Sequence, residues 1–143
     1  MVVSTPDVAR NKAAIIERCV RRAREVYADD PANLTDDLTR QDSIVLNIQR
    51  ACEAAVDLAM HLARIHHLGI PQDSRNAFEL LVGAARLEPG LSASLQRMVG
   101  FRNIAVHDYQ SLNLQIVHAI VTRDLDDLLA FAASALRSAT HAT

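Results

Sequence analysis

Glycine and proline are the residues that most readily interrupt regular structure, and this chain of 143 residues holds only four of each. So few turn signals argue against the many short strands of a sandwich or barrel and favour long helices with few connections. Half of the residues are hydrophobic but only 3% are aromatic, so a core must be built from Ala, Leu, Val and Ile. That composition suits close-packed helices. The length is that of one compact domain covering residues 1–143, able to bury roughly two thirds of its unfolded surface.

Apolar residues at three- and four-residue steps predict five helices. The first starts at Ser4 or Thr5, before Pro6 and Asp7, and runs to about Ala28 with Ile16, Cys19, Val20, Ala23, Val26 and Tyr27 on its apolar side. Asp29-Asp30-Pro31 ends it. A longer helix capped by Thr35 carries Ile44, Ile48, Ala51, Ala55, Leu58, Leu62 and Ile65 on one stripe and stops at His67-Leu68-Gly69. A shorter one, capped by Ser74, holds Phe78, Leu81, Val82 and Ala85 and is terminated by Glu88-Pro89-Gly90. Ser92 or Ser94 caps a fourth with Leu95, Met98 and Val99, and the last extends from about Leu112 to Leu136. Such elements pack most simply as an all-α, up-and-down bundle. Their broad apolar stripes exceed one core, which points to a two-fold homodimer.

A formal charge of −2 and a pI near 6.3 leave no global positive field, so any nucleic-acid contact must be local. Lys12 is the sole Lys. The preference for Arg fits the mutational bias that also enriches Ala, although Arg is the better phosphate fork. Arg18, Arg21, Arg22 and Arg24 read as a solvated face, and Asp124, Asp126 and Asp127 as an acidic surface patch. His66 and His67 are adjacent and point apart, and His61 has only Asp57 within one turn, so ordinary surface histidines are expected and no metal site. Asp36, Asp37 and Asp42 read as partners of a helix dipole, with a role in holding an essential Arg or contacting a partner as the alternative. Cys19 and Cys52, in apolar runs, read as small buried hydrophobes. The N-terminus lacks the pattern of a signal peptide, and Glu53, Asp57 and His61 interrupt the most apolar stretch, so a cytoplasmic protein without a membrane anchor is expected.

The most informative stretch is Arg102-Asn103-Ile104-Ala105-Val106-His107-Asp108-Tyr109. At about 100° per residue, Arg102, Val106 and Tyr109 share one helix face while Asn103 and His107 share another. For Arg102 and His107 to act on one substrate, the helix must loosen near His107, or Arg102 must wrap around, or a second subunit must complete the site. Cleaving RNA without a metal needs a base for the ribose 2′-OH, an acid for the leaving 5′-oxygen and a cation for the phosphorane. His serves either proton role near neutral pH, and Arg suits the phosphorane. The same residues could equally cap a helix end and pair charges, and periodicity alone does not separate the two.

Arg102, four residues, His107, one residue and Tyr109 match the Arg-x4-His-x-Tyr pattern of the HEPN superfamily. The chain further resembles its HepT-type toxins in the second helix beginning Gln41-Asp42-Ser43-Ile44, the short third helix, the approach from Leu95 to Phe101 and the last helix. The resemblance implies a dimeric, metal-independent endoribonuclease needing no cofactor, with Arg102 and His107 catalytic and Asn103 in support. It also implies a partner antitoxin, a nucleotidyltransferase that transfers AMP to Tyr109 and so silences the toxin. The alternative within the superfamily is an inactive nucleotide- or RNA-binding module that cooperates with such a partner.

Overall fold

The computed structural model describes residues 5–140, and the apolar runs predicted above are helical. Helix α1 spans Thr5–Tyr27 and buries Ala9, Ala13, Ile16, Val20, Ala23 and Tyr27 along one side. Ser4, one of its two candidate caps, lies outside the described residues. After α1 ends, the Asp30 carboxylate accepts from the Ala32 amide at 3.0 Å and opens a single turn, α2 (Ala32–Thr35).

Helix α3 spans Leu38–Ile65. Its cap is Asp37, whose carboxylate accepts from the Arg40 amide at 3.0 Å, rather than Thr35, whose hydroxyl is taken up by the Pro31 carbonyl. Beyond the expected stripe, Val45, Ala54 and Val56 are buried as well, because α3 is the central helix with neighbours on most sides. Likewise α4 (Ser74–Gly83) is capped by Asp73, not Ser74. An Asp carboxylate reaches the amide three residues on as well as a hydroxyl does, and Asp37 and Asp73 stand immediately before the first residue of their helices.

Helix α5 spans Pro89–His107. Glu88-Pro89-Gly90, expected to stop a helix, instead starts one: Pro at the first helical position has its φ preset and no orphan N–H to satisfy. Ser92 and Ser94 are therefore not caps but buried residues of α5, and Ser94 donates to the Asp127 carboxylate at 2.5 Å. The last expected helix is two, α6 (Leu114–Ala119) and α7 (Leu125–Thr140), joined by a widened π turn at Ile120–Asp124. There the Thr122 hydroxyl donates to the His118 carbonyl at 2.7 Å, a local competitor of the regular ladder.

Contacts far apart in sequence give the helix directions. Lys12 pairs with Asp57 and Arg40 reaches the Val26 carbonyl, so α1 and α3 are antiparallel. Arg24 pairs with Asp126 at 2.7 Å and the Tyr27 hydroxyl meets His118 Nδ1 at 2.7 Å, so α1 runs antiparallel to the stretch from α6 into α7. Cys52 contacts the Met98 carbonyl while Tyr109 reaches Asp42, which sets α5 antiparallel to α3. An up-and-down bundle results, with no strand among the described residues. Its continuous core runs from Ala9 to Ala135, and Phe78 and Phe131 meet edge to face at 5.7 Å between centroids.

Three surface expectations need correction. His61 is buried, with Nδ1 2.9 Å from an Arg64 guanidinium nitrogen. The acidic patch is only partly a surface: Asp126 is exposed as expected and pairs with Arg24, whereas Asp127 accepts from Ser94 and Asp124 is mostly covered. Of the arginine cluster, Arg18, Arg21 and Arg22 are exposed as expected, whereas Arg24 is half-buried in its bridge to α7. Cys19 and Cys52 are buried and unpaired. Among the described residues, no helix is long and apolar enough to cross a membrane, and no three His, Cys, Asp or Glu side chains cluster as metal ligands.

Candidate active site

The octet lies where α5 ends. His107 is the last helical residue; Asp108, at φ −152° and ψ 66°, breaks the helix, and Tyr109–Ser111 form one 3-10 turn. The turn is stitched by the Ser111 hydroxyl donating to the Asp108 carboxylate at 2.6 Å and by the Leu112 amide donating to the Tyr109 carbonyl. The helix thus does break just after His107. Tyr109 consequently leaves the face it would share with Arg102 and Val106 on a regular helix.

Tyr109 turns instead to the start of α3. Its hydroxyl donates to Asp42 Oδ1 at 2.6 Å and lies 3.3 Å from Gln41 Oε1. Burial raises its pKa above the ordinary phenol value, and the Asp42 hydrogen bond and charge push in the same direction. Asp42 is therefore more than a dipole partner, and it holds Tyr109 rather than an arginine. Gln41 and Asp42 sit 68 and 67 residues before Tyr109, and no spacing rule joins them. The sequence signals were their place at the head of the long helix and the resemblance of its opening Gln41-Asp42-Ser43-Ile44.

Arg102 is half-buried on α5, close enough to the buried Cys52 thiol to oppose the rise in that thiol's pKa. Its Nε is shut off from solvent with no hydrogen-bond partner, and no carboxylate among the described residues pairs with its guanidinium. Such a group is expensive to leave unmatched and is drawn to an incoming anion. Asn103 and His107 are exposed and make no hydrogen bond among the described residues. The structure therefore brings Tyr109 to α3, keeps Arg102 against the bundle, and leaves Asn103 and His107 facing outward on an edge that also exposes Ile104 and Val106.

Chemically this edge offers a cation without a counterion, an imidazole free for proton transfer and a phenol already bonded to a carboxylate. Comparison with known proteins gives this set its context. Residues 16–135 match the family model of HepT-like ribonucleases. Over 125 residues, covering 87% of this chain and 93% of the relative, the chain is 49% identical to the mRNA nuclease HepT of Shewanella oneidensis.

The chain belongs to the HepT-like ribonuclease family.

Solved structures of the family share its fold closely. A tri-AMPylated Shewanella oneidensis HEPN toxin in complex with an MNT antitoxin superposes with a TM-score of 0.85 at 48% identity, covering 90% of this chain and 96% of that one. A toxin–antitoxin complex with AMP-PNP gives a TM-score of 0.85 at 46% identity, covering 90% and 98% of the two chains.

Proposed function

We propose that this HepT-like chain is a metal-independent endoribonuclease toxin, one catalytic domain in length, whose Arg102 and His107 cleave RNA in a cleft between two copies of the chain. The observation that carries the assignment of residues is Arg102, a half-buried guanidinium without a counterion, five residues before an exposed and unbonded His107. His107 exchanges protons with the ribose 2′-OH and the leaving 5′-oxygen, a task suited to an imidazole near neutral pH. Arg102 offers its fork to the phosphorane, and Asn103, exposed beside it, supports the bound phosphate. A two-fold axis at this edge sets one such pair from each copy around one substrate. The products are a 2′,3′-cyclic phosphate and a free 5′-hydroxyl.

Tyr109 is the control point of this reading. A nucleotidyltransferase antitoxin transfers AMP to its phenol, placing an anionic group of nucleotide size where RNA phosphates must lie and blocking the cleft by volume and charge. The solved relatives, one tri-AMPylated and held by an MNT antitoxin, support that reading.

The test is induction of the wild-type chain beside Arg102→Ala and His107→Ala, with growth and cellular RNA ends followed together. Growth arrest and cyclic-phosphate ends with wild type alone uphold the proposal. Intact RNA with wild-type protein shown by mass to carry no adduct on Tyr109 overturns it.

A further inference from the structure

We propose that Asp42 is the base that takes the proton of Tyr109 when that phenol is adenylylated, an inference that rests on Tyr109 being the acceptor. A phenol with its ordinary pKa near 10 is about one part in a thousand ionised at pH 7, and the surroundings of Tyr109 make the anion scarcer still. The nucleophile must therefore lose its proton as it attacks, to a group already in contact. Asp42 Oδ1, at 2.6 Å, is in contact. Among the described residues the only other acceptor at the hydroxyl is the amide oxygen of Gln41 at 3.3 Å, which is too weak a base to take a proton. Of the neighbouring titratable groups, Asp108 is engaged with the Ser111 hydroxyl, and neither His107 nor Arg102 bonds to the phenol. No cation pairs with Asp42 among the described residues, so Oδ1 faces the phenol without a competing ion pair. Tyr109 is 37% exposed, so the residue lies at the surface.

The step balances within the partner's own substrate, a nucleoside triphosphate bound with its divalent cation. The Tyr109 oxygen attacks the α-phosphorus and a new P–O bond forms. The bond from that phosphorus to the bridging oxygen breaks, and pyrophosphate leaves with the electron pair. The phenolic proton passes to Asp42 and from there to water. The chain that is silenced thus supplies part of the machinery that silences it.

The sign of one substitution separates this role from a passive one. The negative charge of Asp42 disfavours the tyrosinate, so if Asp42 merely sits beside the phenol, Asp42→Asn makes the anion commoner and adenylylation faster. If Asp42 is the base, the same change makes it slower. The experiment uses full-length unmodified chain, its cognate nucleotidyltransferase, ATP and Mg²⁺, with single-turnover AMP uptake located by peptide mass. Expected are a loss of about a hundredfold or more for Asp42→Asn, with a rate that climbs steeply between pH 7 and 9 where wild type is flat. Asp42→Glu recovers part of the rate, and Gln41→Ala stays within a few-fold of wild type. A rate for Asp42→Asn equal to or above wild type, with AMP still on Tyr109, overturns the role of Asp42 alone. Full AMP uptake by Tyr109→Phe overturns the acceptor reading, and this inference with it.

Discussion

Arg102, which the proposed function places at the phosphorane, also burdens the fold. Its Nε is buried with no acceptor, a loss of roughly 1–3 kcal/mol relative to a matched donor. Replacing it by Met, of similar reach and without polar atoms, removes the unmatched donor while keeping its apolar packing. Arg102→Met is expected to abolish RNA cleavage while leaving the melting temperature unchanged or slightly raised. A clear drop in stability would mean that the guanidinium is matched in solution. The two tyrosines give a second expectation. Burial raises the pKa of Tyr27, with Asp29 and Asp30 adding to it, and Tyr109 is raised by burial and Asp42. Their protonated forms are favoured in the fold, so the stability they contribute is whole below pH 10, the ordinary value, and is lost as the pH climbs above it. The chain has two Tyr and no Trp, so absorbance at 295 nm reports these two phenols. It should stay flat through pH 10 and rise only as the helices melt. A normal ionisation midpoint near 10 in folded protein would contradict both environments.

At the scale of elements, the helix pattern was legible because amphipathic spacing is a property of each segment alone. The boundaries were less so, since Asp37 and Asp73 compete with neighbouring hydroxyls for the cap, and Pro89 can follow one helix or begin the next. The octet was legible as a motif, and its geometry left three ways for Arg102 and His107 to serve one substrate: a helix loosened near His107, a wrapped Arg102 or a second subunit; α5 in fact stays helical through His107 and breaks after it. What spacing could not supply was the bond from Tyr109 to Asp42, because it depends on how α5 lies against α3. One helix end carries a direct expectation. Ala85, just beyond α4, sits at φ 57°, while the Arg86 amide closes onto the Leu81 carbonyl at 2.9 Å and the Ala85 amide onto Val82. This is a Schellman end with a Cβ at the left-handed position, where glycine is preferred. Ala85 is exposed, so its methyl contributes little packing. Ala85→Gly should stabilise the protein by up to about 1 kcal/mol, the relief of left-handed strain exceeding the entropy glycine adds to the unfolded chain. Chemical denaturation reads this as a higher midpoint at unchanged slope, and a lower midpoint would refute it.

At the scale of the molecule, the question is what completes an edge that leaves its imidazole and its apolar residues outward. Ile104, Val106 and Ile116 are 45%, 43% and 48% exposed. Beside them a groove of 550 Å³ opens between α5 and the π turn, with Phe101, Leu112 and Ile120 in its walls. Apolar side chains grouped around the octet lose water favourably against a like surface, and a two-fold axis lets the same patch serve both copies. On the proposed function, such an axis would draw two His107 and two Arg102 toward one phosphate, giving a proton donor and acceptor from a motif that holds a single histidine. The wild-type chain is therefore expected to sediment as a dimer. Ile104→Glu with Ile116→Glu should yield a monomer of unchanged helical content, since both positions are solvent-facing and exposed substitutions typically shift stability by only about 0.5 kcal/mol. That monomer should cleave RNA at least about a hundredfold more slowly, the size of one lost proton-transfer group, and the rate should return as concentration forces pairing. A monomer that cuts at the wild-type rate would mean that one chain holds the whole site, with His107 serving both proton roles in turn.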